Sequence, residues 1–177
     1  MGHRLESARL AEDLGVSITP VRDSLNRLVG EKLVELVPGI GFHVPRLTER
    51  ILRDLLDLNV RLLLSAVRTT PSIGCGSFEN LDGESHADRT GSLFAQIASL
   101  SENTELVETV RSMGDRLHAC REHEVAILPF AADEIELIQI VAASRPADLA
   151  GALADYHDVR TQHLYRFLRR LQIGSAT

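Results

Sequence analysis

The 177 residues predict a mainly α protein, a winged helix-turn-helix followed by an antiparallel all-α helical bundle. Three observations carry that prediction. Two short amphipathic patterns within Leu10–Val34 meet at Gly15-Val16-Ser17. A pair of short β-rich runs follows them directly. From Thr48 onward the pattern is helical almost throughout, rich in Leu and Ala and without Trp. The domain division this implies is 1–47 for the winged unit and 48–177 for the helical one, with a loop at about 69–88.

In the first pattern Leu10, Ala11 and Leu14 share a face; in the second, Val21, Leu25 and Leu28 recur at i, i+4 and i+7. Gly15 ends the first helix, where a left-handed residue is cheapest. Ser17 or Thr19 is placed to cap the second, and Pro20 lies in its first turn, where a missing amide breaks no hydrogen bond. The polar face of the second helix carries Arg22, Asn26 and Arg27, donors suited to phosphates and base edges. Taken alone, this fits an ordinary αα-hairpin with a solvated charged face. The runs Leu33–Val37 and Phe42–Val44, joined by Pro38-Gly39-Ile40-Gly41, decide otherwise, because a β-hairpin after the second helix makes a wing.

These residues resemble the GntR family of bacterial transcription regulators. The match runs through Leu10, Ala11, Leu14, Gly15, Val16, Ser17, Thr19, Pro20, Val21, Arg22, Leu25, Leu28, Leu33 and Val34, then Gly41 and Val44 in the wing. The Thr-Pro-Val-Arg core at its distance from the wing makes the resemblance specific. It implies DNA contacts from Ser17, Thr19, Arg22 and the wing tip at Gly39; Asn26 and Arg27 join them from the residue pattern. Ile18 stands where relatives usually have an arginine, and Ala8 where they often have another. Met1-Gly2-His3-Arg4-Leu5 resembles the family's P-G-x-x-L, which in relatives follows a first helix; the chain as given is expected to lack that helix.

Charge separates the two parts. Residues 1–47 hold six basic and six acidic side chains, so the net charge of −6 belongs to the remainder, which should not lie along DNA. No run approaches a membrane span, and Cys75 and Cys120 form no framework, which together predict a cytoplasmic protein. Thr48-Glu49 reads as a helix start. Arg50–Arg68 is a helix with Ile51, Leu55, Leu58, Leu62 and Val67 along one stripe, flanked by Leu52, Leu56 and Leu63, and so buried or shared with a partner subunit. Further helices are expected over about Thr90–Leu100, Thr104–Ile127 closed by Pro129, a segment capped by Asp133 to about Ala143, and one from the turn Arg145–Asp148 to about Leu171.

Such a domain behind a GntR-type reader is similar to the FCD, or FadR-like, class of that family, which binds a small-molecule effector and often a metal ion. Asn59–Ser65 resembles its first-helix motif through Arg61, Ile97–Leu106 matches through Ser101 and Asn103, and Glu134–His157 follows its last two helices. The class surrounds its ion with an Asp and three His; those places hold Thr90, Phe94, Ile135 and His157, so no metal and no cofactor is expected. Arg61, Thr90, Phe94, Ile135 and His157 are the candidate effector pocket, and Phe94 and Ile135 point to a more apolar effector than a carboxylic acid. A second cluster is weaker: Asp115, His118 and Glu122 share a stripe beside Cys120, His123 and Glu124, which reads as a solvated polar face beside one small thiol. Nothing resembles a nucleophile motif, a phosphate loop or HExxH, so no catalysis is expected.

The expected function is a DNA-binding regulator, a homodimer on double-stranded DNA at an inverted-repeat operator, whose helical domain binds a small molecule. The alternative is a dimeric helical protein whose DNA reader is residual, suggested by Ile18, Ala8 and the missing helix.

Overall fold

A computed structural model describes residues 2–69, 84–144 and 146–173. The chain divides into two compact units, Met1–Leu47 with Gln172–Thr177, and Thr48–Leu171.

The first unit runs β1 (Arg4–Leu5), α1 (Ser7–Leu14), α2 (Ile18–Gly30), β2 (Glu35–Val37) and β3 (Gly41–His43). Its sheet is antiparallel in the order β1-β3-β2, with Leu5 and Leu36 both opposite Phe42. The third strand, β1, was not expected; two residues carry no periodicity, and only pairing with β3 makes them a strand. Ala11, Val21, Leu25, Val34 and Phe42 form the core, joined at its edge by Leu5, Leu10, Leu28 and Val29. Gly15 adopts φ 65° at the end of α1. Its N–H donates to the Glu12 carbonyl and that of Val16 to the Ala11 carbonyl, so the turn satisfies two carbonyls the helix leaves open. Ser17 occupies the N-cap position of α2, but its side chain makes no capping hydrogen bond, and Thr19 lies one residue inside the helix. The expected cap is therefore positional only.

The second unit comprises α3 (Glu49–Thr69), α4 (His86–Ser99), α5 (Thr104–Arg121), α6 (Glu124–Ile127), α7 (Ala131–Ser144), α8 (Pro146–Gln162) and α9 (Leu164–Ile173). Helix α3 packs on α4, α5 and α8, α4 lies against α5, and α7 against α8. The core is drawn from α3, α4, α5, α7 and α8, with Leu63, Leu93, Phe94, Ile97, Val110, Ile135, Leu149 and Tyr156 at its centre. Thr48 accepts from the Ile51 N–H, as its position predicts. Ser101 and Asn103 act at the α4–α5 turn: Ser101 Oγ donates to the Ala98 carbonyl, and Asn103 Oδ1 accepts from the Leu106 N–H to cap α5.

Four boundaries differ from the sequence expectation. Helix α4 begins at His86, because Ser85 Oγ accepts the Asp88 N–H and donates to its carboxylate; the rest of the expected loop, 70–83, and Cys75 with it, lies outside the described residues. The segment Thr104–Ile127 breaks into α5 and α6 at Glu122-His123. Helix α7 begins at Ala131, with Asp133 inside its first turn rather than capping it. The last helix starts at Pro146 and breaks at His163, whose ring bonds the Val159 carbonyl. Neither break has a Pro or Gly to announce it.

The buried face of α3 is also turned from the expected one. Leu52, Leu55, Leu56, Asn59, Leu63 and Ala66 are buried, while Ile51 and Leu58 are exposed. Asn59 disguised this stripe, since a polar residue in the middle of an apolar face reads as its edge. Among the described residues no helix is long and apolar enough to cross a membrane.

Candidate functional site

The first unit presents a polar face on α2. Ser17, Thr19, Arg22, Asn26 and Arg27 are all exposed, and so is Gly39 at the wing tip. Val21 and Leu25 anchor the opposite face of the helix in the core, which fixes the direction of the polar one. Arg27 lies 3.7 Å from Glu31 one turn on. Arg22 makes no ion pair among the described residues and lines an open cleft of about 380 Å³ with Arg4, Ser7, Ala8 and Ile18. Arg4 was missed from the sequence; it enters because β1 pairs with β3, with Arg4 opposite His43. Gly39 has φ 76° after Pro38, the arrangement that a turn with Pro then Gly requires, and the Ile40 N–H donates to the Val37 carbonyl at 3.0 Å. The wing is thus a short, tightly closed hairpin. Arginines on the helix and strand, hydroxyls at the helix start and a bare loop tip suit a phosphate backbone and a groove.

In the helical unit, Thr90, Phe94, Ile135 and His157 are each 2% exposed or less. Phe94 stacks on His157 at 5.7 Å between ring centres and meets Tyr156 edge-on at 5.1 Å. Thr90 spends its hydroxyl on the His86 carbonyl at 2.7 Å. Phe94 and Ile135 are hydrocarbon in the core, so these four positions do not fit a divalent ion. Arg61 is not with them: its side chain is exposed and pairs with Asp57 at 2.9 Å.

His157 is held on both sides. Its Nδ1–H donates to the Leu153 carbonyl at 2.7 Å, and its Nε2 lies 2.9 Å from the Asn59 amide. Burial lowers its pKa from 6.5 to about 4, outweighing the bond to Leu153, so the ring is neutral. A neutral ring bonded through Nδ1–H has a lone pair at Nε2, which calls for the amide nitrogen of Asn59 as donor.

A charged hub, not foreseen, lies beside this cluster. Glu124 Oε2 accepts from Arg160 Nη2 at 2.8 Å and from His86 Nε2 at 2.9 Å, and Oε1 accepts from the Tyr156 hydroxyl at 2.9 Å. Arg160 Nη1 donates to Glu134 at 2.8 Å, and its guanidinium lies 3.5 Å from the Tyr156 ring centre. Burial alone would raise the Glu124 pKa; the His86 bond and the Arg160 charge overcome it and bring it to about 2. Glu124 is therefore not on a solvated face, contrary to expectation. A signal was present: Val110, Met113, Leu117, Cys120 and Glu124 follow one apolar stripe, as do Leu149, Leu153, Tyr156 and Arg160. Cys120 is buried in this region, and burial followed by the Glu124 charge pushes its thiol up to about 12, where it is inert. His118 lies 3.7 Å from both Asp88 and Glu122, and among the described residues no three His, Cys, Asp or Glu side chains converge as metal ligands.

The described residues thus form a winged-helix unit, whose exposed α2 face carries Arg22 and Arg27, and a separate helical unit. Residues 1–44 match the family model "Bacterial regulatory proteins, gntR family". It is 31% identical over 142 residues to the Nta operon transcriptional regulator of Aminobacter aminovorans, covering 68% of this chain and 64% of that protein's length. It is 28% identical over 173 residues to the HTH-type transcriptional regulator McbR of Escherichia coli (strain K12), covering 88% of this chain and 70% of McbR. The structure of McbR superposes with a TM-score of 0.65 at 23% identity, over 93% of this chain and 88% of that one. A GntR transcriptional regulator from Rhodococcus sp. RHA1 gives 0.69 at 17% identity, over 93% and 87%. These relatives are named as transcriptional regulators, not enzymes.

Proposed function

We propose that this protein is a sequence-specific DNA-binding transcriptional regulator. Two copies place their α2 helices in successive major grooves, and the operator is a short inverted repeat of double-stranded DNA. The observation that carries this is the exposed face of Ser17, Thr19, Arg22, Asn26 and Arg27 on a helix locked by the Gly15 turn, with an exposed Gly39 wing tip in the same unit. The family match over residues 1–44 and the names of both curated relatives support it. The helical unit binds a small-molecule effector and joins the two copies; Ile51 and Leu58, exposed on α3, suit the pairing surface. Effector binding acts by shifting the balance between arrangements of the two readers.

The test is selection of binding sites from random duplex DNA with the chain as given. An inverted repeat should be enriched, and Arg22→Ala should lower affinity for it at least 100-fold while leaving the melting temperature unchanged. If no site is enriched, with or without the upstream coding region, the reader is residual and the protein is a helical dimer.

A further inference from the structure

Beside the polar face of α2 stands one large apolar side chain that the core leaves half exposed. Ile18 opens the helix, and with Val21, Leu25 and Leu28 it recurs at i, i+3, i+7 and i+10, so by pattern it belongs to the buried stripe. The core takes Val21 and Leu25, with Leu28 at its edge, whereas Ile18 is 45% exposed. It lines the open cleft of about 380 Å³ together with Arg22, one turn on, and with Arg4 and Ser7. Ser17 and Thr19, its neighbours in the chain, are exposed as well. An isoleucine in a helix holds essentially one χ1 rotamer, so this side chain projects in a fixed direction and loses little freedom on contact.

We propose that Ile18 is a base-reading residue that packs on the 5-methyl group of a thymine, so that each half of the operator holds a T·A pair at that place. This deepens the function proposed above and rests on its placing of α2 in the major groove. The residues at the start of a helix so placed are the ones that reach base edges. Ile18 can give a base edge neither a donor nor an acceptor. Pressed against guanine or adenine, it would strip water from O6, N7 or N6 and return no hydrogen bond; against cytosine it would do the same to N4. Thymine is the one standard base that shows a methyl group in the major groove. Arg22 and Ile18 then divide the reading, the fork taking acceptors and the branched hydrocarbon taking a methyl group one helical turn away. Covering one methyl group is worth roughly a fourfold gain in affinity for each half-site.

The test uses the full chain and the selected operator. Each thymine position is replaced in turn, in both half-sites together, by deoxyuridine, which pairs as thymine does but lacks the methyl group. At one position affinity should fall roughly tenfold to twentyfold. Ile18→Ala should bind the thymine and deoxyuridine operators within about twofold of each other. Its melting temperature and salt slope should match the parent's, because an apolar contact neutralises no phosphate. Ile18→Gln keeps the bulk but not the hydrocarbon branch and should likewise lose the sensitivity; it decides the matter if Ile18→Ala does not fold. Exchanging the sensitive T·A pair for C·G should weaken binding. Placing 5-methylcytosine there restores the methyl group, and should recover about threefold in the parent and nothing in Ile18→Ala. Leu14→Ala removes a more exposed apolar residue outside the cleft, and should keep the full discrimination. A selected operator with no methyl-sensitive thymine, or equal sensitivity in Ile18→Ala, overturns this inference and leaves the regulator standing. Failure to select any operator overturns the function proposed above and this inference with it.

Discussion

His157 and Glu124 set the acid stability of the helical unit, and both act in the same direction. Burial holds the His157 pKa down at about 4, so between pH 4 and its ordinary 6.5 the unfolded chain binds a proton that the folded one does not. Its contribution is complete above pH 6.5 and lost as the pH falls to about 4. The Glu124 carboxyl, brought to about 2 from 4.5 despite its burial, continues the loss from pH 4.5 downward. The melting temperature should therefore fall between pH 7 and pH 4. The His157 share is on the order of 3 kcal/mol. In His157→Gln the decline above pH 4.5 should flatten, although the variant starts from a lower stability; a slope equal to the parent's would show that His157 titrates normally. Glu124→Gln removes the charge that Arg160 and His86 share. Breaking a buried pair on one side costs about 3–5 kcal/mol, whereas surface pairs such as Arg53–Glu49 contribute little. Chemical denaturation of the two single variants, Glu124→Gln and Glu49→Gln, should separate them clearly.

At the scale of elements, the geometry of the reader depends on one residue. Gly15 sits at φ 65°, and a Cβ there would meet nothing within 4 Å, so any penalty in Gly15→Ala is conformational rather than steric. The left-handed conformation costs a residue with a Cβ about 1–2 kcal/mol; Gly15→Asn should cost less. Equal stability of all three forms by thermal unfolding would mean that the α1–α2 turn relaxes freely. This turn was legible in the sequence because everything that makes it is local: a glycine, two amphipathic faces and a proline in the first turn. Strand β1 was not, since its existence depends on pairing Arg4 and Leu5 with residues nearly forty positions later. The helical unit divides the same way. The α5 cap at Asn103 and the α3 cap at Thr48 follow from neighbours three residues away. The Glu124–Arg160 pair joins residues 36 apart, and each end of it interrupts an apolar stripe that reads more simply as ending there. Arg121 was hidden for the same reason: next to Glu122, it looks like part of a solvated face, and only the crossing of α4 on α5 shows that it lies buried against Gly91 and Gly114. Buried charge is legible from sequence only when its stripe is followed past the first polar residue.

At the scale of the whole molecule, charge limits how this protein can hold DNA. The first 47 residues are neutral in sum, and the remainder carries the entire −6. Non-specific attraction to a polyanion should accordingly be weak, and affinity must come from a few directed contacts. In the function proposed above these come from Arg4 and Arg22 at one cleft, and from Arg27 on the next turn, which lies 3.7 Å from Glu31. If two copies bind as proposed, two to three phosphates neutralised by each give a slope of about −4 to −5 for log affinity against log salt concentration. The measurement is binding of the selected operator from low to near-physiological salt by fluorescence anisotropy. Arg4→Gln should reduce the slope by about 1 to 2 without changing which sequence is preferred, because a phosphate contact positions and does not specify. Arg22→Gln should instead lose the preferred sequence, if its fork reaches a base edge from the α2 face. A slope much steeper than about −6 would require basic side chains beyond these three. A slope near zero, with a site still selected, would mean that recognition rests on groove shape and neutral contacts such as Ser17, Thr19 and Asn26, leaving the arginines with no part in holding the backbone.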